Sequence, residues 1–306
     1  MPVALTSIRD LLKPGLYAVE GKYDMIPAQW SQVFTTRKST MAVERKVQNR
    51  FLGLAQLKNE GGQTSFDNNA GERLVYNAES FEVGLGYAIT RKAIDDNLYK
   101  SEFNPTNLQM LDSFQQFKEI QAANIFNNGQ TYDSTIGGDG VALFSTAHPV
   151  DGTTIANTFS TALDLNESSL LQGMINVRSN FLNEAGLKIY ARAQKLIVPV
   201  ALEPVAIRLT KTELRPGTAN NDVNAILSTS GGLPQGYMVW DYLTSNYAWF
   251  LLTNYAKDAL LMMQRVKFET DMQVDFTTDN LLVKGYERYV PTYNDWRAAY
   301  GSFPTS

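Results

Sequence analysis

Residues 73–90 read "RLVYNAESFEVGLGYAIT". From Phe81 the alternation is clean: Phe81, Val83, Leu85, Tyr87 and Ile89 fall on one face, and Glu82, Gly84, Gly86 and Ala88 on the other. A period of two with one apolar face predicts a half-buried strand. Just upstream, residues 53–71, "GLAQLKNEGGQTSFDNNAG", are rich in Gly, Asn and Gln and read as a flexible tip. Leu52, Leu54 and Leu57 supply the expected partner strand. The result is a long hairpin over 53–89, tipped by Glu60-Gly61-Gly62-Gln63. A two-stranded hairpin has little to bury by itself and is marginal alone. It needs something to lie on.

Downstream the period changes. Thr90 is a candidate cap for a short helix over 91–99, and "NPTNLQMLDSFQQFKEIQAANIFNNG" follows at 104–129. Asn104 is a plausible N-cap with Pro105 at the first helical position. Leu108, Leu111, Phe114, Phe117, Ile120, Ala123 and Ile125 recur at helical spacing, and Asn127-Asn128-Gly129 stops the run. The helix over 105–127 is about 33 Å long at 1.5 Å per residue, the longest rod expected. A Gly- and Asn-rich loop fills 128–160. A second helix is expected over 167–185, with Leu170, Leu171, Met174, Val177, Phe181 and Leu182 as its stripe and Gly186 as its stop.

Residues 187–261 alternate short apolar runs with turns; "KLIVPV" at 195–200 and "NYAWFLLTN" at 246–254 read as strands. Near the end, "FETDMQVDF" at 268–276 puts Phe268, Thr270, Met272, Val274 and Phe276 on one face and Glu269, Asp271, Gln273 and Asp275 on the other. "TTDN" turns, and "LLVKGYERYV" at 281–290 returns as the second strand. Before the hairpin, residues 1–50 show no sustained period and read as an arm. Its stretch 37–50, "RKSTMAVERKVQNR", sets Arg37, Lys38, Arg45, Lys46 and Arg50 against Glu44. Such a local excess suits phosphate or an acidic protein surface, although a solvated face is the commoner meaning.

The 306 residues carry a net charge of −4, one histidine and no cysteine. Disulfides, thiolate metal sites and cysteine nucleophiles are thereby excluded. No apolar run is long enough to span a membrane as a helix, and the start lacks the pattern of a signal peptide. The histidine sits in "GDGVALFSTAHPVDGT", residues 138–153. Ser145 and Asp151 each lie three residues from His148. Triads are assembled from distant segments, and no G-x-S-x-G is present. Pro149 pushes His148 toward an extended conformation, so a structural loop histidine is expected. No phosphate loop, dinucleotide fingerprint or calcium loop occurs. We expect no catalytic residue, no metal site and no cofactor.

The order of elements carries the functional reading: arm, glycine-tipped hairpin, long helix, loop, second helix, mixed region, long strand pair. It resembles the HK97-type fold of tailed-phage major capsid proteins, an α+β class. Four stretches look like the Mu-type major head subunit family: "VGLGYAITRKAIDDNLY" (83–99), "ALFSTAHP" (142–149), "LRPGTANNDVN" (214–224) and "WFLLTN" (249–254). The resemblance spans roughly 15–300. It implies an N-terminal arm at 1–52 and an extended E-loop at 53–89. It implies a peripheral domain from 90–187, with spine helix 105–127, and 256–306. It implies an axial domain at 188–255.

A homo-oligomeric shell of pentamers and hexamers enclosing double-stranded DNA is then expected, as part of the virion and assembled in the host cytoplasm. Portal, scaffolding and possible decoration proteins are its expected partners, with no membrane. Because the chain opens on Met1, scaffolding is expected to be a separate protein. Arg37, Lys38, Arg45, Lys46, Arg50, Glu60, Gln63, Phe81, Val83, Leu85 and Tyr87 are the expected inter-subunit contacts. Two rivals have their own tests. An encapsulin-like shell would carry enzyme cargo in place of DNA. A soluble hydrolase would work through Ser145 or a carboxylate pair.

Overall fold

The protein is described here from a computed structural model covering residues 16, 20–23, 25–49, 51–67, 71–96, 99–150, 152–213, 224, 226–227 and 232–305. Four strands come first: β1 (Thr35–Lys38), β2 (Val43–Asn49), β3 (Glu72–Glu79) and β4 (Phe81–Ile89). Helices α1 (Arg91–Asp95) and α2 (Tyr99–Asn127) follow, then the small hairpin β5 (His148–Val150) and β6 (Thr153–Ile155), and α3 (Glu167–Asn180). The second half contains β7 (Ala193–Val198), α4 (Glu203–Lys211), β8 (Tyr237–Val239), β9 (Trp249–Thr253), α5 (Ala256–Ala259), β10 (Leu260–Val274), β11 (Leu281–Tyr293) and β12 (Ala299–Ser302).

One sheet has the order β1-β10-β11-β4. Its centre is the long antiparallel pair β10–β11, in register from Leu260↔Tyr293 to Val274↔Leu281 with shifts near Val266. The alternation read from sequence holds along β10: Phe268 and Met272 are buried while Glu269, Asp271 and Gln273 are exposed. It fails at Phe276, which is 98% exposed. The strand ends at Val274, and Asp275 captures the turn by accepting from the N–H and Oγ1 of Thr277 and from Thr278 Oγ1. Local side-chain hydrogen bonds thus outcompete one more ladder position.

Helix α2 lies on this sheet through Phe114, whose ring meets Phe268 edge-on at 4.9 Å. Close approach depends on Gly285. A Cβ there would lie 2.9 Å from the rings of both Phe114 and Phe268. Gly285→Ala therefore forces helix and sheet apart, and we expect it to lower stability by about 1–3 kcal/mol in chemical denaturation. The helix begins earlier than the sequence suggests, at Tyr99, with Pro105 inside it. Proline there forfeits one hydrogen bond to the carbonyl four residues back. The first turns are nevertheless anchored, because Phe103 is buried with Leu16, Ile94, Met272, Leu281 and Val283. Tertiary packing overrides the local stop. α1 stops at Asp95, short of the expected 99, with Thr90 capping it as expected through a bond from Ala93 N–H.

The second sheet has the order β12-β9-β7-β8 and is covered on both faces. Along β9, Phe250 and Leu252 join the cluster that holds Ala122 and Phe126 of α2, while Trp249 and Leu251 join the cluster under α3 with Leu170 and Val177. This explains why "WFLL" at 249–252 is an unbroken apolar run, since a strand buried on both sides has no polar face to show. α3 is capped by a reciprocal Asn166–Ser169 box and ends at Asn180, not 185. Phe181 turns into the core in an extended conformation, and Asn183 Oδ1 accepts from Ala185 N–H and Leu187 N–H to hold a turn where the helix was expected to continue.

The hairpin is rearranged relative to the sequence reading. β4 pairs with β11, from Leu281↔Ile89 to Tyr289↔Phe81, and not with residues 52–57. The hairpin's own strands are β2 and β3, paired from Val43↔Glu79 to Asn49↔Glu72. The apolar face of β4 already had a partner inside the chain, 192 or more residues away in sequence, and local hairpin logic could not see it.

Candidate assembly surfaces

Among the described residues, 51–67 have no strand partner, and all are exposed. The segment carries large apolar side chains: Leu52 is 60% exposed, Leu54 76% and Leu57 96%. At its tip Gly61 adopts φ 76°, and Gly62 N–H donates to Asn59 C=O, so Glu60 and Gln63 flank a turn open to solvent. One face of the β2–β3 ladder is anchored: Ala78 is buried with Leu261, Met263 and Val290. The other face presents Val43, Arg45 and Val47 beside Val75, all exposed. Contiguous apolar exposure of this kind marks an interaction surface rather than ordinary solvent-facing structure.

The basic residues divide. Arg37 pairs with Asp258 of its own chain at 3.0 Å. Lys38 and Arg45 are exposed and form no ion pair among the described residues. Lys46 is half-buried; burial first, and then the Arg37 charge, push its ammonium below the usual lysine range. Arg50 lies outside the described residues. Of the β4 residues, Phe81, Val83 and Tyr87 are half-buried within the chain. Phe81 meets Phe117 edge-on at 6.5 Å and Tyr289 at 5.0 Å, and Tyr87 Oη donates to Asn107. The face expected to wait for a neighbour is largely covered by α2; Leu85 alone of the four remains open, at 45%.

His148 belongs to the core, on β5, and not to a loop. Its ring stacks on Trp296 at 4.4 Å and 10°, Nδ1 is 2.8 Å from Asp139 Oδ2, and Nε2 is 3.0 Å from Asn157 Oδ1. Asn157 Nδ2 donates to the carbonyls of Leu143, Trp296 and Ala299, tying the loop to the last strand. Ser145 uses its hydroxyl to accept from Ala147 N–H and shares no hydrogen bond with the imidazole. Asp151 lies outside the described residues. The ring is a hydrogen-bonding strut for the loop–strand junction. No group of three or more His, Asp or Glu suited to a metal ion occurs among the described residues. None of the described helices is long and apolar enough to cross a membrane.

Among curated proteins, none matches the chain. Solved structures match its fold. The mature capsid of bacteriophage PhiM1 aligns with TM-score 0.58 at 9% identity, covering 90% of this chain and 87% of that one. The procapsid of bacteriophage JBD30 aligns with TM-score 0.54 at 17% identity, covering 99% and 77%. A virus-like particle from Pyrococcus furiosus aligns with TM-score 0.50 at 8% identity, covering 94% and 96%. The fold is the HK97-type capsid fold. The sequence itself is more specific: residues 78–302 match the phage capsid protein family. With that match spanning the second sheet, β4, β10 and β11 of the first, and α2, the chain belongs to the phage capsid protein family.

Proposed function

We propose that this chain is the major head subunit of a tailed bacteriophage, and that its copies close into pentamers and hexamers of an icosahedral shell around double-stranded DNA. The observation that carries the reading is the family match over 78–302. The exposed apolar segment 51–67 supports it, because such a segment gains its burial only on another chain. Heterologous contacts that close into rings convert one such surface into a container. The order of motifs favours a Mu-type subunit.

In this reading the arm, expected at 1–52, runs only to the start of β2. The E-loop, expected at 53–89, is the protruding part of the β2–β3 hairpin. Residues 90–187 and 256–306 are the peripheral domain and 188–255 the axial one. Portal, scaffolding and decoration proteins are its partners, and assembly takes place in the host cytoplasm. Electron microscopy of the purified chain, expressed alone and with a scaffolding protein, tests the reading; closed particles support it, and a monomer under both conditions overturns it. Nucleic acid protected from nuclease inside particles made during infection separates a phage head from a cargo-carrying shell.

The basic arm adds a second test. Lys38, Arg45 and Lys46 are proposed to face acidic surfaces of neighbours or the DNA lumen. Reversing Arg45 and Lys46 to Glu is expected to weaken assembly at low salt. The deficit should shrink as salt is raised toward 1 M, where the screening length falls to about 3 Å. Light scattering across a salt series reads this out, and salt-independent assembly equal to that of the unaltered chain contradicts it.

A further inference from the structure

β4 is the outermost strand of its sheet, with β11 on one side and no strand on the other among the described residues. Its pairing with β11 runs unbroken for nine positions, so no bulge twists the edge away. Neither lysine nor proline guards it, and its one charge, Glu82, is occupied 3.4 Å from Arg288. Edges this regular are normally blunted, since their unpaired N–H and C=O groups template strand addition. One glycine, Gly84, deepens the opening; at Gly86 a Cβ would already lie 2.8 Å from Val283 O of the neighbouring strand. A Cβ at Gly84 would meet nothing closer than Gly285 O at 3.9 Å, and Leu85 on the opposite face is half-open. Large side chains from an adjacent strand are the usual way such glycine gaps are filled.

The same chain carries a strand in need of a partner. Residues 51–57, "FLGLAQL", are uncharged, contain no proline and are exposed with no ladder of their own. Alternation along an added strand places Phe51 and Leu57 on one face and Leu52 and Leu54 on the other. One pair covers the gap at Gly84 and the other covers Leu85. The two elements are kept apart within a chain. The β2–β3 ladder, Val43↔Glu79 to Asn49↔Glu72, carries the chain at Asn49 about 20 Å from the start of β4 at 3.3 Å per residue. We propose that residues 51–57 of one copy add as a fifth strand along the free edge of β4 in a neighbouring copy. This rests on the shell reading and specifies its contact: backbone hydrogen bonds give affinity, and the alternating leucines and phenylalanine give register.

The chain has no cysteine, so every thiol in the test is an introduced one. Gly84→Cys is combined in turn with a single cysteine at each position from 51 to 57. Particles are formed and then exposed to oxygen with copper-phenanthroline, so that two thiols pass two electrons and two protons to the oxidant and one S–S bond forms. On non-reducing gels an inter-chain ladder is expected whose yield alternates with period two along 51–57. Same-face neighbours on adjacent strands have Cβ atoms within disulfide reach, and opposite-face ones do not. Leu85→Cys, on the other face, is expected to give the opposite parity, and it replaces Gly84→Cys if that variant fails to fold. Normal particles with no inter-chain cross-link at any position, or cross-links within single chains only, overturn strand addition and leave the shell reading intact. Absence of particles from the unaltered chain overturns both.

Discussion

Glu287→Ala is expected to destabilise the fold by about 3–5 kcal/mol, with Lys118→Ala costing a similar amount. Both side chains are buried, and Lys118 Nζ lies 2.5 Å from Glu287 Oε1. Glu287 also accepts from Tyr23 Oη at 2.7 Å and from Gln264 Nε2 at 3.2 Å, while Lys118 lies 4.7 Å from the centre of the Tyr289 ring. The pair joins α2 to β11, and the rings around it exclude water. Deleting either member leaves an uncompensated charge in that space. Deleting both does not, so Lys118→Met with Glu287→Leu should recover most of the loss. Urea denaturation midpoints of the two single variants and the double variant check this. A double variant as unstable as the singles contradicts it.

Replacing Leu52, Leu54 and Leu57 together by serine is expected to leave the subunit folded and abolish its assembly. Exposed substitutions of this kind usually change stability by less than about 0.5 kcal/mol. Buried against a neighbour, each leucine contributes roughly 1.5–3 kcal/mol, so three forfeit about 5 kcal/mol or more per subunit. At 1.4 kcal/mol per factor of ten, the concentration needed for assembly rises by three or more decades. Circular dichroism reports the fold, and sedimentation reports the assembly. Full-size particles at the usual concentration would remove 51–57 from any subunit contact.

The two experiments probe opposite ends of the problem. Burying a charge pair beneath a helix is a matter of one chain's stability, and its effect appears whether or not a shell forms. The leucine segment contributes nothing measurable until a second chain arrives. Glu119 belongs with the first kind. It accepts from the N–H groups of Gln29 and Trp30 and from Trp240 Nε1, which fixes the loop before β1 onto α2. Burial still outweighs those donors and, with repulsion from Asp241, holds its carboxyl above the ordinary glutamate range. A raised carboxyl affinity for protons means that this site's contribution is complete below the unfolded-state value and declines as pH rises through the folded one.

Much of the architecture is legible from local pattern. The periodicities at 81–89, 105–127, 167–185, 268–276 and 281–290 name elements that the structure contains, two of them ending early at Asn180 and Val274, because burial of one face is imposed at the period of the backbone itself. The order of those elements was enough to suggest the capsid fold, and the family match over 78–302 agrees. Tertiary structure decided which strand meets which. Phe81, Val83 and Tyr87 look like a hairpin face waiting for a neighbour, yet α2 and β11 cover them from twenty or more positions away and from about two hundred. A strand's alternation states that one side is apolar and says nothing about what lies against it. The fate of His148 shows the same limit. Sequence gives its proline neighbour and its nearby serine and an expected structural loop residue, but only the folded chain brings Asn157 and Trp296 to the ring and makes it a buried strut on a strand. Pairing partners are set by the lowest free energy of the whole core, a sum over contacts distant in sequence, and no local window contains that sum.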